Sequence, residues 1–199
     1  MIESALKRIC MNWERKGNMS DFSAPKTKTG SSAAVRRMTA AALLAAMTTL
    51  MTAYLFHIPV GVNGGYIHFG DAIIYFAAAL LPMPYACAVG AIGGGMADLL
   101  TAPMWAPATV LIKALICLPF SSKGNKIVTK RNTAALFFAF CISAVGYYVA
   151  EGILFGFTAA FFTSAAGSLI QSAGSAVVFL ILGTALDRVG VKNSAARGL

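Results

Sequence analysis

The stretch Gly64-Gly65-Tyr66-Ile67-His68-Phe69-Gly70-Asp71-Ala72-Ile73-Ile74-Tyr75 decides how the chain folds. It sets paired glycines, tyrosines, a histidine and an aspartate between two long, almost uncharged apolar runs. Such a segment belongs at the mouth of a membrane bundle or partly inside it. Polar groups at that depth are costly, because hydrocarbon offers them no partners, and a solute-binding site is a reason to keep them there.

Composition agrees. Of 199 residues, 58% are hydrophobic and 12% charged, half the usual ~25%. The mean hydropathy is +0.72. The chain reads as an all-α, polytopic membrane protein with one compact bundle. Cys10, Cys87, Cys117 and Cys141 form no CxxC pair, and three of them lie in apolar runs. They indicate neither a metal site nor a disulfide framework. No cofactor is implied.

Six apolar runs are expected to be transmembrane helices. The first, 38–57, follows Arg36-Arg37 and fits the ~20 residues a span needs. It is stopped at Ile58-Pro59. Ala41/Ala45 and Ala42/Ala46, each spaced by four, put small side chains where another helix can come close. Alanine's helix propensity alone would also explain them. The second run, 72–81, is short; it draws on Tyr66–Asp71 for its outer end, or it is tilted or broken. Pro82-Met83-Pro84 stops it. The third, 85–100, carries Gly90, Gly93, Gly94 and Gly95, which mark close helix contact in a membrane. Two prolines then bracket Trp105 in an interfacial loop. The fourth run, 108–120, contains Lys113; the fifth, 133–155, ends near a break at Gly156; the sixth is 157–186. Residues 1–34 read as a disordered basic cytoplasmic tail, 35–188 as the six-helix domain and 189–199 as a second cytoplasmic tail. No apolar h-region follows Lys7-Arg8, so no cleaved signal peptide is expected. Met11, Met19 and Met38 are further possible initiators.

The net charge of +9 is a topology signal. Eight of the sixteen Lys and Arg precede Met38, four lie in 121–132 and three follow Leu186. The positive-inside rule then makes both termini and the 121–132 loop cytoplasmic, and nucleic acid is not needed to explain the charge. The loops at 58–70, 101–107 and 155–157 face outward together.

Four ionisable residues lie in or at the edge of the spans: Asp71, Asp98, Lys113 and Glu151. In this topology all four fall in the outer half. One outward-facing pocket would lower the cost of burying them, and it would also draw on Asn63, Tyr66, His68, Trp105, Tyr147 and Gln171. Plainer roles compete. Lys113 could pair with Asp98 or Asp71 as structural glue, Asp71 could cap a helix after Gly70, and Trp105 could be an interfacial anchor. His57 and His68 could be ordinary interfacial residues.

Gly65-Tyr66-Ile67-His68-Phe69-Gly70-Asp71-Ala72, residues 78–82, Gly90-Ala91-Ile92-Gly93, Ala97-Asp98-Leu99-Leu100, Ala106-Pro107-Ala108-Thr109 and Ile112-Lys113 together resemble the substrate-binding S component of energy-coupling factor (ECF) transporters, of the riboflavin/hydroxymethylpyrimidine type. The resemblance runs from about residue 37 to 188. It implies a six-helix bundle that binds a vitamin or its precursor on the outer side. It also implies a transmembrane coupling subunit and two cytoplasmic ATPases as partners, in a bacterial plasma membrane. The bundle would topple in the membrane to release its solute inside. On this resemblance Ala41, Ala42, Ala45 and Ala46 form the docking surface for the coupling subunit. The 60–70 loop is the lid, and Trp105, Tyr147, Glu151 and Gln171 are binding groups.

The residues themselves add that the chain has no Walker lysine loop and cannot hydrolyse ATP. Aromatic rings with a few aimed polar groups suit a flat heteroaromatic solute. A carboxylate such as Glu151 would accept hydrogen bonds from an aminopyrimidine, which favours a thiamine precursor over riboflavin. An autonomous ion-coupled secondary transporter, with Asp71, Asp98 and Glu151 as ion carriers, is the alternative. HExxH, GxSxG and a GxGD context are absent, so no catalytic residue is assigned.

Overall fold

The computed structural model describes the backbone of residues 29–55, 58–60 and 65–192. Asn63, His57 and residues 1–28 and 193–199, for which the sequence raised expectations, lie outside them. Among the described residues six helices and one small hairpin follow in order: α1 Thr29–Ala53, β1 Ile58–Val60, β2 Gly65–Ile67, α2 Asp71–Leu80, α3 Met83–Thr101, α4 Ala106–Leu115, α5 Lys130–Phe155 and α6 Phe157–Val189. A 3₁₀ turn, Pro103–Trp105, joins α3 to α4. Ala33–Leu199 forms one of two compact units of the chain.

Met83–Thr101, Lys130–Phe155 and Gly167–Val189 are long and apolar enough to cross a bilayer. The other helices differ from the six even spans expected. α1 starts at Thr29, so 29–34, expected in the tail, are its first turns, where Ala33-Ala34 favour helix. It stops at Ala53, before Pro59, with the amides of Tyr54 and Leu55 both turning back to the carbonyl of Leu50. α2 does not recruit Tyr66 or Ile67, because both lie in β2. Ile58↔Ile67, Pro59↔Tyr66 and Val60↔Gly65 pair antiparallel. Proline is tolerated there because an edge strand does not need every amide.

α2 and α4 have ten residues each, about 15 Å, half the ~30 Å hydrocarbon core. α2 ends at the Pro82 turn, so Asp71 at its start lies deep in the bundle. The α5–α6 corner is made by Gly156 at φ 98°, a conformation open to glycine and costly for other residues.

Two clusters hold the bundle. The larger joins α2, α4, α5 and α6 through Ile74, Tyr75, Phe76, Ile112, Ile116, Phe120, Leu136 and Phe179, among others. Tyr75 stacks on Phe120 at 5.2 Å and meets Phe179 edge-on at 6.1 Å. The smaller joins α1 to α2 and α3 through Ala41, Ala45, Ala77, Leu81 and Val89. The α3 glycines permit these approaches. A Cβ at Gly93 would stand 2.7 Å from Thr48 Cβ, and one at Gly90 would overlap the Lys113 carbonyl. Thr49 donates to the Gly93 carbonyl at 3.0 Å, tying α1 to α3. Leu43, Leu50, Ile92, Leu99, Phe137, Val145 and Ile181 remain exposed on the bundle surface. With the span lengths, this outward apolar surface describes a protein surrounded by lipid.

The loop between α4 and α5 is held from both sides. Asn132, fully buried, donates to the carbonyls of Ser121 and Ile127 and accepts from the Ser121 amide. Asp187 near the end of α6 accepts from the amides of Ile127 and Val128 at 2.7 and 2.9 Å.

Candidate functional site

α2 opens directly after the hairpin, and its first residue is Asp71 rather than a side-chain cap; Gly70 holds the N-cap position. A carboxylate in a first helical turn is favoured by the unpaired amides there. Its main partner is Lys113 of α4, with Nζ 2.7 Å from Oδ1 and 2.8 Å from Oδ2. Gln171 of α6 donates to Oδ2 at 2.9 Å. Three helices therefore meet at one carboxylate. Lys113 is fully buried, reaching that position along Gly94, where a Cβ would come 2.8 Å from its Cγ. Of the two partners open to Lys113 in the sequence, Asp71 makes the bond. Asp98, also buried, stands near enough to act on Lys113 electrostatically.

The strap between hairpin and α2 is anchored on both flanks. His68 is buried, and its Nδ1 accepts from the Gly70 amide at 3.0 Å, with the Thr52 hydroxyl of α1 at 3.3 Å. Nδ1 is thus the unprotonated nitrogen in this arrangement. Phe69 packs on Gly174 of α6, where a side chain would overlap its ring.

Toward the hairpin end, rings gather beside the ion pair. Lys113 Nζ lies 5.3 Å from the centre of the Tyr147 ring, within cation–π range. The Tyr147 hydroxyl and Thr109 Oγ1 are 3.0 Å apart. Trp105 meets Tyr147 at 6.2 Å and Phe155 at 6.0 Å. Ser143, Tyr147, Glu151 and Phe155 recur every four residues, so they line one stripe of α5. Glu151 is buried on that stripe. Trp105 is 93% buried, and its indole N–H has no hydrogen-bond partner among the described residues.

The structure thus brings together His68, Asp71, Lys113, Gln171, Tyr147 and Trp105, with Glu151 beside them. Tyr66 stands in β2 opposite Pro59. The four small residues of α1 divide. Ala41 and Ala45 pack inside the bundle, whereas Ala42 and Ala46 are exposed. Ala41 and Ala45 face α2 and α3, and Ala42 and Ala46 face outward. Sequence reasoning missed Thr109 and Phe155. Both were within reach of it, since Thr109 lies one turn before Lys113 and Phe155 one turn after Glu151.

No group of three or more His, Cys, Asp or Glu able to hold a metal occurs among the described residues. The arrangement sets aromatic rings side by side with charged and hydrogen-bonding groups.

Comparison with known proteins agrees with this architecture. Over 77 residues the chain is 33% identical to an "Uncharacterized protein in gap 3'region" of Pyrococcus woesei, covering 38% of this chain and 52% of that protein. The chain thus matches about half the length of that relative. A family model described as "ECF-type riboflavin transporter, S component" matches residues 32–188, the whole six-helix region. The chain therefore belongs to the ECF-type riboflavin transporter S component family, a family of substrate-binding transporter subunits and not of enzymes.

Proposed function

We propose that this protein captures a riboflavin-like vitamin as the membrane-embedded S component of an ECF importer. The observation that carries the reading is the ring cluster Trp105–Tyr147–Phe155 set beside the Lys113–Asp71–Gln171 network. A flavin ring system is flat and aromatic, with carbonyl and ring-nitrogen acceptors on its rim. Stacking surface plus the Trp105 N–H and the Lys113 ammonium match that chemistry.

Topology supports entry from outside. The basic residues of the 121–132 loop follow α4, and by the positive-inside rule they support a cytoplasmic side for that loop and for both termini. The β1–β2 hairpin serves as a lid, and its closure is read by Asp71 through the His68–Gly70 strap. The solute is delivered with a transmembrane coupling subunit and two cytoplasmic ATPases, in a bacterial plasma membrane. Ala42 and Ala46 supply the exposed small-residue face on α1 for docking.

The test is fluorescence titration of riboflavin with the purified protein in detergent, with mass spectrometry of any molecule that co-purifies. Saturable quenching, weakened by Glu151→Gln, supports the proposal. The buried Glu151 carboxylate favours one competitor, an aminopyrimidine such as the hydroxymethyl thiamine precursor. Binding of that compound with no riboflavin quenching would replace the substrate assignment.

A further inference from the structure

Three of the six buried side-chain polar atoms that lack a hydrogen bond among the described residues sit between α2 and α6, Tyr75 Oη, Ser172 Oγ and Ser175 Oγ, below the Asp71 carboxylate that Lys113 holds. They form a seam. Asp71 and Tyr75 are one turn apart on α2. Gln171, Ser175 and Phe179 follow at intervals of four on α6, and Gln171 and Phe179 both touch α2, at Asp71 and at Tyr75 and Phe76. Ser175 must therefore face α2 between them, and it is fully buried. Ser172 lies beside the Tyr75 hydroxyl.

An unsatisfied hydroxyl in a protein core is costly, and the surrounding lipid cannot relieve it. Three on one seam, below a carboxylate with spare accepting capacity, is an arrangement that asks for a guest able both to donate and to accept. A carbonyl cannot donate, and an ammonium would be repelled by Lys113. We infer that the α2–α6 seam is a binding site for a hydroxylic oxygen, supplied by water or by the polyol chain of a ligand. Either source offers the two to four hydrogen bonds that a buried oxygen needs. The polyol source rests on the flavin reading above; the water source does not.

The experiment uses the full chain in detergent with Ser172→Ala, Ser175→Ala and Tyr75→Phe. Alanine is a good helix former, and phenylalanine keeps the Phe120 and Phe179 ring contacts, so folding is retained. Melting temperature is measured without ligand. Affinity is measured for riboflavin and for a ring-only flavin lacking the polyol chain. An occupied seam predicts that each substitution lowers the melting temperature, because the guest loses a partner. A polyol guest predicts in addition a loss of about tenfold in riboflavin affinity, with ring-only affinity unchanged, as expected for one lost hydrogen bond. Lower melting temperature with an unchanged affinity ratio assigns water as the guest. If the wild type binds neither flavin yet the melting temperatures fall, the flavin reading fails and the seam stands. Melting temperatures that hold or rise, with an unchanged affinity ratio, overturn the inference, because removing hydroxyls from a dry seam relieves their desolvation cost.

Discussion

The ammonium of Lys113 and the carboxylate of Asp71 meet at 2.7 Å across 42 residues of chain, both sealed from solvent. Attraction at such a site is offset by the cost of stripping water from both charges, so the pair is worth little as an isolated source of stability. Removing one partner is a different matter. Lys113→Met leaves a buried carboxylate held by the Gln171 amide, and it is expected to cost roughly 3–5 kcal/mol. Lys113→Met combined with Asp71→Leu should recover most of that loss. Thermal unfolding of the single and double variants measures the coupling; a double variant as unstable as the sum of the two singles would show that the charges do not act on each other.

Glycine positions separate by what surrounds them. A methyl at Gly90 meets the Lys113 backbone carbonyl, which no rotamer change can move aside. Gly90→Ala is therefore expected to destabilise by roughly 1–3 kcal/mol through overpacking, and to disturb solute binding by pushing α4 from α3. A methyl at Gly167 meets nothing within 4 Å among the described residues. Gly167→Ala should be neutral, or stabilising by up to about 1 kcal/mol from helix propensity. Melting temperatures of the two variants, side by side, check the assignment.

Most of the helix plan was legible because its punctuation is chemical. Pro82-Met83-Pro84, the Trp105 turn and Gly156 all end helices where the sequence put breaks. The need of Lys113 for a carboxylate was equally legible, since burial forces pairing. Which carboxylate was not, because Asp71 and Asp98 differ only in how α2 and α3 pack around α4. The hairpin escaped notice: three-residue strands carry no usable alternation, and Pro59 and Gly64-Gly65 read as loop. The alanines of α1 show a different limit. Ala41 and Ala42 are about 100° apart on a helix, so spacing finds two small-residue stripes and cannot rank which turns inward.

The end of α6 carries a pH dependence with a definite sign. Burial pushes the Lys192 ammonium below the ordinary lysine value of 10.5, with Asp187 pulling part of the way back, while Nζ donates to the Lys126 carbonyl at 3.2 Å. A lysine with a lowered folded-state value binds its proton less readily in the fold than in the unfolded chain. Between the lowered value and 10.5 the unfolded chain holds more protons, so stability rises with pH there. Lys192→Met removes this contribution. The melting temperature of the wild type should therefore gain on that of the variant as pH climbs toward 10.5, and a constant difference would contradict the assignment.

Asn132 offers the sharpest test of how the 121–129 loop is held. Its side chain bonds three backbone groups of Ser121 and Ile127, and its own amide donates to Thr129 Oγ1, capping α5. The neighbouring loop amides of Ile127 and Val128 are taken by Asp187. Asn132→Ala keeps the cap at Thr129 but strands the two carbonyls and the Ser121 amide. At roughly 1–3 kcal/mol for each group left unsatisfied, less where water enters, the loop should open locally before the bundle unfolds. Lys123, Lys126, Lys130 and Arg131 are exposed trypsin sites on this segment. Limited trypsinolysis in detergent should cut the Asn132→Ala variant here many times faster than the wild type. Riboflavin affinity should hold, because the ring cluster sits at the other end of α5. Equal cleavage rates would mean that Asp187 alone holds the loop, and Asp187→Ala would then be the variant that opens it.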